Sequence, residues 1–167
     1  IEPGLHIVSG PHEFLNDAPT FAAASVAHDV TILDVRRPRA KKDLRTFSGR
    51  ISTVTCPRIA LLGTDCAIGK RTTATILTRS LNDRGIKAVL VGTGQTSIIH
   101  FSRYGVALYA VPSQFCACDM DATLVEAFSG AHPDVIIIAG QGALSHPSYL
   151  PSAFLLNRLL PHVRLLP

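Results

Sequence analysis

Residues 58–72 read Arg-Ile-Ala-Leu-Leu-Gly-Thr-Asp-Cys-Ala-Ile-Gly-Lys-Arg-Thr, and this stretch decides how the chain folds. A short apolar run stops at Gly63, and a helix-forming segment starts near Lys70. Gly63, Gly69 and Lys70 have the spacing G-x-x-x-x-G-K, which between a strand and a helix is typical of a phosphate-binding loop. Its glycines let successive N–H groups point inward, and the new helix adds its positive end. The predicted cofactor-binding residues are Gly63, Thr64, Asp65, Cys66, Ala67, Ile68, Gly69, Lys70, Arg71, Thr72 and Thr73.

The loop is irregular at the position after Lys70, where Ser or Thr usually holds magnesium. Arg71 stands there, and Thr72 and Thr73 follow. An arginine does not ligate a metal, but it binds phosphate through two parallel hydrogen bonds. Two interpretations follow: either Thr72 takes over the metal role, or the loop binds a phosphorylated cofactor without magnesium.

Composition bounds the classes of partner. The chain has 167 residues, a net charge of +4 and 6% aromatic residues with no Trp. A nucleic-acid stacking surface is therefore not expected. The basic excess lies largely in residues 36–50, which we interpret as a solvated linker; contact with an anionic cofactor or a neighbouring subunit is the alternative.

The four cysteines lack C-x-x-C spacing, which favours neither a zinc site nor a disulfide framework. We expect reduced thiols in the cytoplasm, and no apolar run reaches membrane-spanning length. Because the chain begins at Ile1 and ends on Leu-Leu-Pro, we also expect it to be part of a longer polypeptide.

Apolar runs alternate with helical patterns along the chain. Such alternation predicts an α/β fold of parallel sheets flanked by helices. A polar, basic segment at 36–57 separates a first β–α–β unit from the rest. Strands are predicted at 5–8, 30–35, 58–62, 86–91, 106–111 and 134–139, and helices at 14–27, 70–84, 122–128 and 151–160.

Ligands of such sheets bind beyond the carboxyl ends of the strands. Besides the phosphate loop, residues 92–96 and 140–147 follow predicted strands, and both carry a Gly-x-Gly turn with a Gln. We predict Gln95, Thr96, Gln141 and His12 as substrate-binding residues. The predicted catalytic residues are His146 as general base, Asp65 and Gln141. A pairing of Ser145 with His146 as nucleophile and base is not favoured, since sequence neighbours rarely have that geometry.

The strand at 134–139 ends in Ala139 and Gly140, where magnesium-dependent phosphate-loop enzymes usually carry an acidic residue. We therefore expect no bound metal. Asp65, Asp119 and Asp121 are the alternatives that could replace the missing ligand.

Five segments together resemble a widespread prokaryotic family. They are Ile7-Val-Ser-Gly-Pro-His-Glu-Phe-Leu, Asp34-Val-Arg-Arg-Pro, the phosphate loop, Val91-Gly-Thr-Gly-Gln-Thr and Gly140-Gln-Gly-Ala-Leu-Ser-His-Pro-Ser-Tyr. This family was long known only as a P-loop domain of unknown function and now includes the D-glutamate N-acetyltransferases. The phosphate loop also resembles, more distantly, that of dethiobiotin synthetase.

The resemblance implies the end of a Rossmann-like domain at residues 1–50, followed by a P-loop domain at 51–167 that is incomplete. It further implies acetyl transfer from acetyl-CoA to the amino group of a small acidic amino acid by a homo-oligomer. Two alternatives stay open: an ATP-dependent ligase that uses magnesium, and a nucleotide-binding module without catalysis. Family members usually have Glu where Ala139 stands, so altered activity is part of this expectation.

Overall fold

The computed structural model describes residues 4–143. Short 3-10 turns connect several of its helices and strands. The strands are β1 (Ile7–Ser9), β2 (Ile32–Asp34), β3 (Arg58–Leu61), β4 (Ala88–Gly92), β5 (Tyr104–Gly105) and β6 (Val135–Ala139). The helices are α1 (Pro19–Ala27), α2 (Lys70–Asn82), α3 (Gln95–His100) and α4 (Cys116–Ala131).

A parallel four-stranded sheet in the order β3-β6-β4-β5 organises the larger part of the structure. β6 lies in the middle, and all five of its residues are buried. Its sequence, Val-Ile-Ile-Ile-Ala, is apolar on both faces, as a strand covered on both sides requires. Ala139 pairs with Leu61 of β3 and Gly92 of β4, so three strands end side by side.

Helices cover both faces of this sheet. On one face α4 packs Met120 and Leu124 against Ile136 and Ile138. On the other face α2 contributes Ala74 to a second apolar cluster. The predicted parallel sheet flanked by helices is therefore confirmed.

The first β–α–β unit forms a separate parallel pair, with Ile7 opposite Ile32. The prediction of one helix over 14–27 was wrong at its start, because α1 begins at Pro19 after a 3-10 turn. Proline suits that first helical position, since its missing N–H needs no partner there. The turn is held by Asp34 at the end of β2, whose carboxylate accepts the backbone N–H groups of Leu15 and Asn16 at 3.1 and 3.2 Å.

Two further predictions near the end of β4 were wrong. Residues 106–111 do not form a strand. They lie beyond the carboxyl end of β4, where the N–H groups of Val106 and Leu108 bond the carbonyls of Gly92 and Thr93, and the chain then enters a 3-10 turn. Residues 95–96 do not belong to a loop, because α3 begins at Gln95. The helix predicted at 151–160 lies outside the described residues.

The basic linker is less solvated than its composition indicated. Arg45 lies 2.8 Å from Glu126 of α4 and 3.6 Å from the buried Asp119, while Arg39 lies 3.7 Å from Asp119. Lys41 and Lys42 are exposed, as the linker interpretation expected.

No helix among residues 4–143 has the length and apolarity needed to cross a membrane.

Candidate functional site

Three segments that follow neighbouring strands enclose a cavity of about 380 Å³. The phosphate loop follows β3, residues 140–142 follow β6, and residues 93–97 follow β4. The volume is typical of small-molecule sites. Its wall consists of Cys66, Ala67, Gly69, Lys70, Arg71, Thr72, Thr93, Gly94, Gln95, Thr96, Ser97, Ala139, Gly140, Gln141 and Gly142.

Two residues of the phosphate loop have the left-handed backbone conformation that occurs in anion-binding turns. Ala67 and Gly69 have φ angles of 55° and 95°, in the left-handed region. Alternating right- and left-handed residues turn successive N–H groups toward one concave side. The first turn of α2 adds the N–H groups of Lys70, Arg71 and Thr72, which have no partner within the helix. This part of the wall is therefore suited to anionic oxygens.

Asp65 braces the loop from outside the cavity wall. Its carboxylate accepts the backbone N–H of Cys66 at 2.6 Å, and its carbonyl accepts a hydrogen bond from the Lys70 ammonium. The side chain is exposed and is not among the wall residues. The structure thus gives Asp65 a bracing contact, and its catalytic role stays a prediction.

Arg71 contributes the second cation of the wall. Its guanidinium carbon lies 5.9 Å from the centroid of the Phe101 ring, which directly follows α3. Within residues 4–143 no carboxylate lies within ion-pair distance of it. Lys70 and Arg71 thus provide adjacent positive charges, and the described wall contains no Asp or Glu.

The middle of the wall is formed by main chain at the end of β6. The hydroxyl of Thr93 donates to the carbonyl of Ala139, which ties β4 to β6. A Cβ atom at Gly140 would collide with the carbonyl oxygen of Leu61 and lie 2.9 Å from Leu62. Glycine is required there because the backbones of β3 and β6 approach closely.

Gln141 extends from this middle segment to the loop that follows β4. Its Oε1 lies 2.7 Å from the place that a Cβ of Gly94 would take. The predicted substrate residues Gln95, Thr96 and Gln141 therefore share one cavity.

Ser97 belongs to this part of the wall and was not predicted. Its hydroxyl is buried and has no hydrogen-bond partner among the described residues. Five other wall residues were not predicted as site residues either: Thr93, Gly94, Ala139, Gly140 and Gly142. Thr93 and Gly94 lie in the segment after β4 that the sequence singled out, but Ser97 becomes a wall residue only through α3, which the pattern did not reveal.

Several predicted residues lie elsewhere. Four residues of the phosphate loop do not line the cavity: Gly63, Thr64, Ile68 and Thr73. The Ile68 side chain instead packs against Gly63, within 2.5 Å of the place that a Cβ of Gly63 would take. The structure does not bring His12 to the wall; its ring lies 2.8 Å from the Arg36 guanidinium. Ser145 and His146 lie outside the described residues.

Asp119 and Asp121 do not replace a magnesium ligand at this cavity. Both are buried in α4, where Asp119 faces Arg39 and Arg45. Asp121 accepts hydrogen bonds from the Ser48 hydroxyl at 2.6 Å and the Ile51 N–H at 2.9 Å. Both carboxylates instead contact residues of the linker segment 36–57. Magnesium prefers carboxylate oxygens, and the described wall offers none; Thr72, the hydroxyl predicted as the alternative metal ligand, does line the cavity.

Comparison with known proteins identifies relatives over most of the chain. Residues 1–38 match the Rossmann-like domain DUF1611_N, and residues 45–166 match the P-loop domain DUF1611_C, both domains of unknown function. A protein of Tritonibacter scottomollicae named D-glutamate N-acetyltransferase is 36% identical over 149 residues. A protein of the same name from a Pseudoalteromonas species is 32% identical over 149 residues. Each match covers 89% of this chain and 42% of the relative, so the chain spans less than half the length of these proteins.

A solved structure agrees with these matches. The crystal structure of a DUF1611 family protein from Anabaena variabilis superimposes with a TM-score of 0.78 at 33% identity, over 92% of this chain and 43% of that one. The predicted family and its order of a Rossmann-like followed by a P-loop domain are confirmed. The chain belongs to the DUF1611 family.

Proposed function

We propose that this chain is the phosphate-loop part of an enzyme that transfers an acetyl group from acetyl-CoA to the amino group of a small acidic amino acid. Two relatives at 36% and 32% identity are named D-glutamate N-acetyltransferase, which supports the reaction class. The observation that carries the proposal is the adjacent pair Lys70 and Arg71 in a wall without described carboxylates.

The residues present fit the phosphate groups of CoA. The left-handed conformation at Ala67 and Gly69 shapes the loop for anionic oxygens, and the first N–H groups of α2 add donors. Arg71 matches a phosphate with a planar pair of donors, whereas Lys70 acts as a compact charge. Neither contact needs a metal ion.

Acetyl-CoA would supply an activated acyl carbon as a thioester. The acceptor nitrogen forms the new C–N bond as the C–S bond breaks, and the proton that this nitrogen then loses passes to the departing sulfur, so that CoA leaves as the thiol. The acceptor must first lose a proton from its ammonium group, because only the free amine is nucleophilic. His146 is the predicted base for this proton.

Gln95, Thr96 and Gln141 position the acceptor in the same proposal. Their amides and hydroxyl belong to the wall segments that follow β4 and β6, and these groups can bond carboxylate or amino groups. Loop N–H groups are suited to the negative charge that develops on the acyl oxygen.

A product assay tests this function. The chain is incubated with acetyl-CoA and, in separate reactions, D-glutamate, L-glutamate and D-glutamine; free thiol is measured together with the N-acetylated product by mass spectrometry. We expect product with an acidic amino acid and equal rates with magnesium or with a chelator. Consumption of ATP that requires magnesium, without any acetylated product, would instead support the ligase.

The same assay tests the predicted base. His146→Ala should lower turnover far more than it lowers affinity for CoA, since a general base contributes about 10²–10⁴-fold to the rate. A change in CoA affinity with unaltered turnover would contradict that role.

A further inference from the structure

Gly94 is a wall residue at which the local backbone does not require glycine. Its φ and ψ angles are −141° and 157°, an extended conformation that any residue adopts without strain. Gly94 is also the N-cap residue of α3, a position at which Ser, Asn and Asp are preferred because their side chains bond the first helical N–H groups. Glycine makes no such bond. The reason for a glycine here must therefore lie in what packs against it.

The Gln141 side chain occupies the space beside Gly94. A Cβ atom at Gly94 would lie 2.7 Å from Oε1, 3.3 Å from Cδ and 3.4 Å from Nε2 of Gln141. All three atoms belong to one amide group, and apart from the chain neighbours of Gly94 no other residue within 4–143 comes closer to that point. The amide thus lies against the main chain of Gly94, where any side chain would displace it.

This contact joins two segments of the cavity wall. Gly94 follows β4 and Gln141 follows β6, and these two strands are neighbours in the sheet. Both residues line the cavity. A glutamine side chain has several rotatable bonds, and its amide is placed accurately only when packing restricts them. Contact with the Gly94 main chain provides that restriction.

Gln95, the other glutamine of the described wall, provides a comparison. It also lies beside a glycine, because a Cβ atom at Gly10 would be 3.5 Å from Cγ of Gln95 and 3.5 Å from Cδ1 of Ile99. These are favourable van der Waals distances between carbon atoms, so an alanine fits at position 10. Of the two glycines, only Gly94 determines by its missing Cβ where a glutamine of the wall lies.

We propose that Gly94 is a positioning residue, which holds the Gln141 amide where it binds the acceptor amino acid. The amide donates and accepts hydrogen bonds, so it can bond a carboxylate or an amino group. A Cβ atom at position 94 would push Oε1 from 2.7 Å to an ordinary contact distance of at least 3.4 Å. That shift exceeds the range of about 0.5 Å over which N–H···O bond lengths vary. The inference rests on the proposed function for the identity of the acceptor.

The test compares Gly94→Ala with Gly10→Ala in calorimetric titrations of CoA, and of D-glutamate in the presence of CoA. Gly94→Ala should weaken D-glutamate binding about tenfold, because a displaced amide loses a hydrogen bond to a charged group. Its CoA affinity should be unchanged, since the phosphate loop follows β3, two strands from β4. Gly10→Ala should leave both affinities unchanged. An equal loss of CoA affinity in Gly94→Ala would mean that the whole cavity is disturbed, and would overturn the proposal.

Gly94→Ser separates positioning from helix capping. Serine is a good N-cap residue, whereas alanine is a poor one, but both place a Cβ atom against the Gln141 amide. Gly94→Ser should therefore weaken D-glutamate binding as Gly94→Ala does. Full D-glutamate affinity in Gly94→Ser would assign the loss in Gly94→Ala to the weakened start of α3 and overturn the proposal.

A double-mutant cycle tests whether the effect passes through Gln141. Gln141→Ala alone should weaken D-glutamate binding about tenfold. In that background Gly94→Ala should cause no further loss, because the amide that its Cβ would displace is absent. A further tenfold loss would show that the two residues act independently, which would overturn the proposal.

The NMR signals of the Gln141 side-chain NH₂ group report on the contact without any ligand. These signals, identified by their absence from Gln141→Ala, should shift in Gly94→Ala and stay in place in Gly10→Ala. Unshifted signals in Gly94→Ala would overturn the positioning role, and absence of D-glutamate binding to the unaltered chain would overturn the role in acceptor binding. Binding that depends on Gly94 and Gln141 without acetyl transfer would refute the proposed function and leave the positioning role standing.

Discussion

Arg71 distinguishes this phosphate loop from those in which Ser or Thr follows the lysine and holds magnesium. It occupies the position of the usual hydroxyl ligand, lines the cavity and lies over the Phe101 ring. A guanidinium there adds positive charge next to Lys70; in the proposed function, this pair of side chains supplies the charge that a metal ion would otherwise bring.

Replacing Arg71 should therefore weaken CoA binding. We expect Arg71→Ala to lower the affinity about tenfold, because it removes charge-assisted hydrogen bonds worth about 1.5–3 kcal/mol. Arg79→Ala is the matched control, since Arg79 is an exposed arginine of the same helix that does not line the cavity. Calorimetric titration compares the two; equal losses would mean that general charge, and not the position of Arg71, governs binding.

Asp34 makes the first β–α–β unit sensitive to acid. Burial alone would raise the pKa of this carboxyl, but hydrogen bonds from the side chain and N–H of Asn16 and the N–H of Leu15, together with the charge of Arg37, bring the pKa below its ordinary value of 3.8. A carboxyl whose pKa is lowered by folding stabilises the fold above the unfolded-state pKa and loses that contribution as the pH falls through the folded-state pKa.

Asp34→Asn should accordingly lower the free energy of unfolding at pH 7, by about 1–3 kcal/mol for the weakened hydrogen bonds. The difference from the unaltered chain should shrink below pH 3.8 as Asp34 itself becomes protonated. Denaturant unfolding at a series of pH values measures this. A difference that stays constant down to low pH would contradict the role given to the charge.

At the scale of elements, β4 shows how this sheet closes an edge without a long neighbouring strand. β5 pairs only with Val91 and Gly92. Nearer the start of β4 the Asn82 side chain takes the place of a strand: its Nδ2 donates to the Ala88 carbonyl at 3.0 Å and its Oδ1 accepts the Ala88 N–H at 3.2 Å. Edge groups protected in this way do not pair with other chains.

Removal of this side chain should weaken the fold and open the edge. We expect Asn82→Ala to lower the free energy of unfolding by about 1–3 kcal/mol, since two backbone groups lose their partners, and to increase self-association. Arg84→Ala is the control, because the Arg84 side chain bonds the carbonyl and hydroxyl of Ser80 in α2 and not the edge of β4. Denaturant unfolding and sedimentation velocity measure both effects. Unchanged stability of Asn82→Ala would show that water replaces the amide at no cost.

The sequence pattern predicted the elements that are long or strongly apolar. β6, buried throughout, and α2, which begins at Lys70, lie where the periodicity and the glycines indicated. α3 and β5 were missed, because six and two residues are too few to show a period. Their structure depends on tertiary contacts, such as the Val106 N–H bonded to the carbonyl of Gly92.

The candidate site, like the fold, was predictable where it depends on sequence spacing and on strand order. The wall contains the loop that the glycine spacing marked and the two glutamines after β4 and β6, since carboxyl ends of neighbouring parallel strands meet at one edge. Ser97 was not predictable, because its burial depends on α3. Asp119 and Asp121 were wrongly considered as metal ligands. The sequence alone does not show that Asp121 accepts a hydrogen bond from Ile51, which lies 70 residues earlier in the chain.

At the scale of the whole molecule, the linker is joined to the P-loop domain by buried carboxylates. Asp121 accepts hydrogen bonds from the N–H and hydroxyl of Ser48 and from the N–H of Ile51. This contact fixes the chain where it enters the P-loop domain, just before β3.

Asp121→Ala should release the linker. Trypsin should then cleave after the exposed Lys41 and Lys42 about tenfold faster. The lost hydrogen bonds to a charged group should lower the free energy of local opening of the linker by at least about 1.5 kcal/mol. Asp83→Ala removes an exposed carboxylate at the end of α2 and serves as control. Equal cleavage rates, measured by limited proteolysis and mass spectrometry, would show that the linker is held by other contacts.

The order of the two domains and the cavity at the strand ends support our central proposal that the phosphate loop binds CoA through main-chain N–H groups, Lys70 and Arg71, without magnesium. Calorimetric titration of the chain with CoA, once with a chelator and once with magnesium, tests this most directly. We predict the same affinity in both titrations and a loss of about tenfold or more in Lys70→Ala. No heat of CoA binding, together with ATP binding that requires magnesium, would contradict the claim.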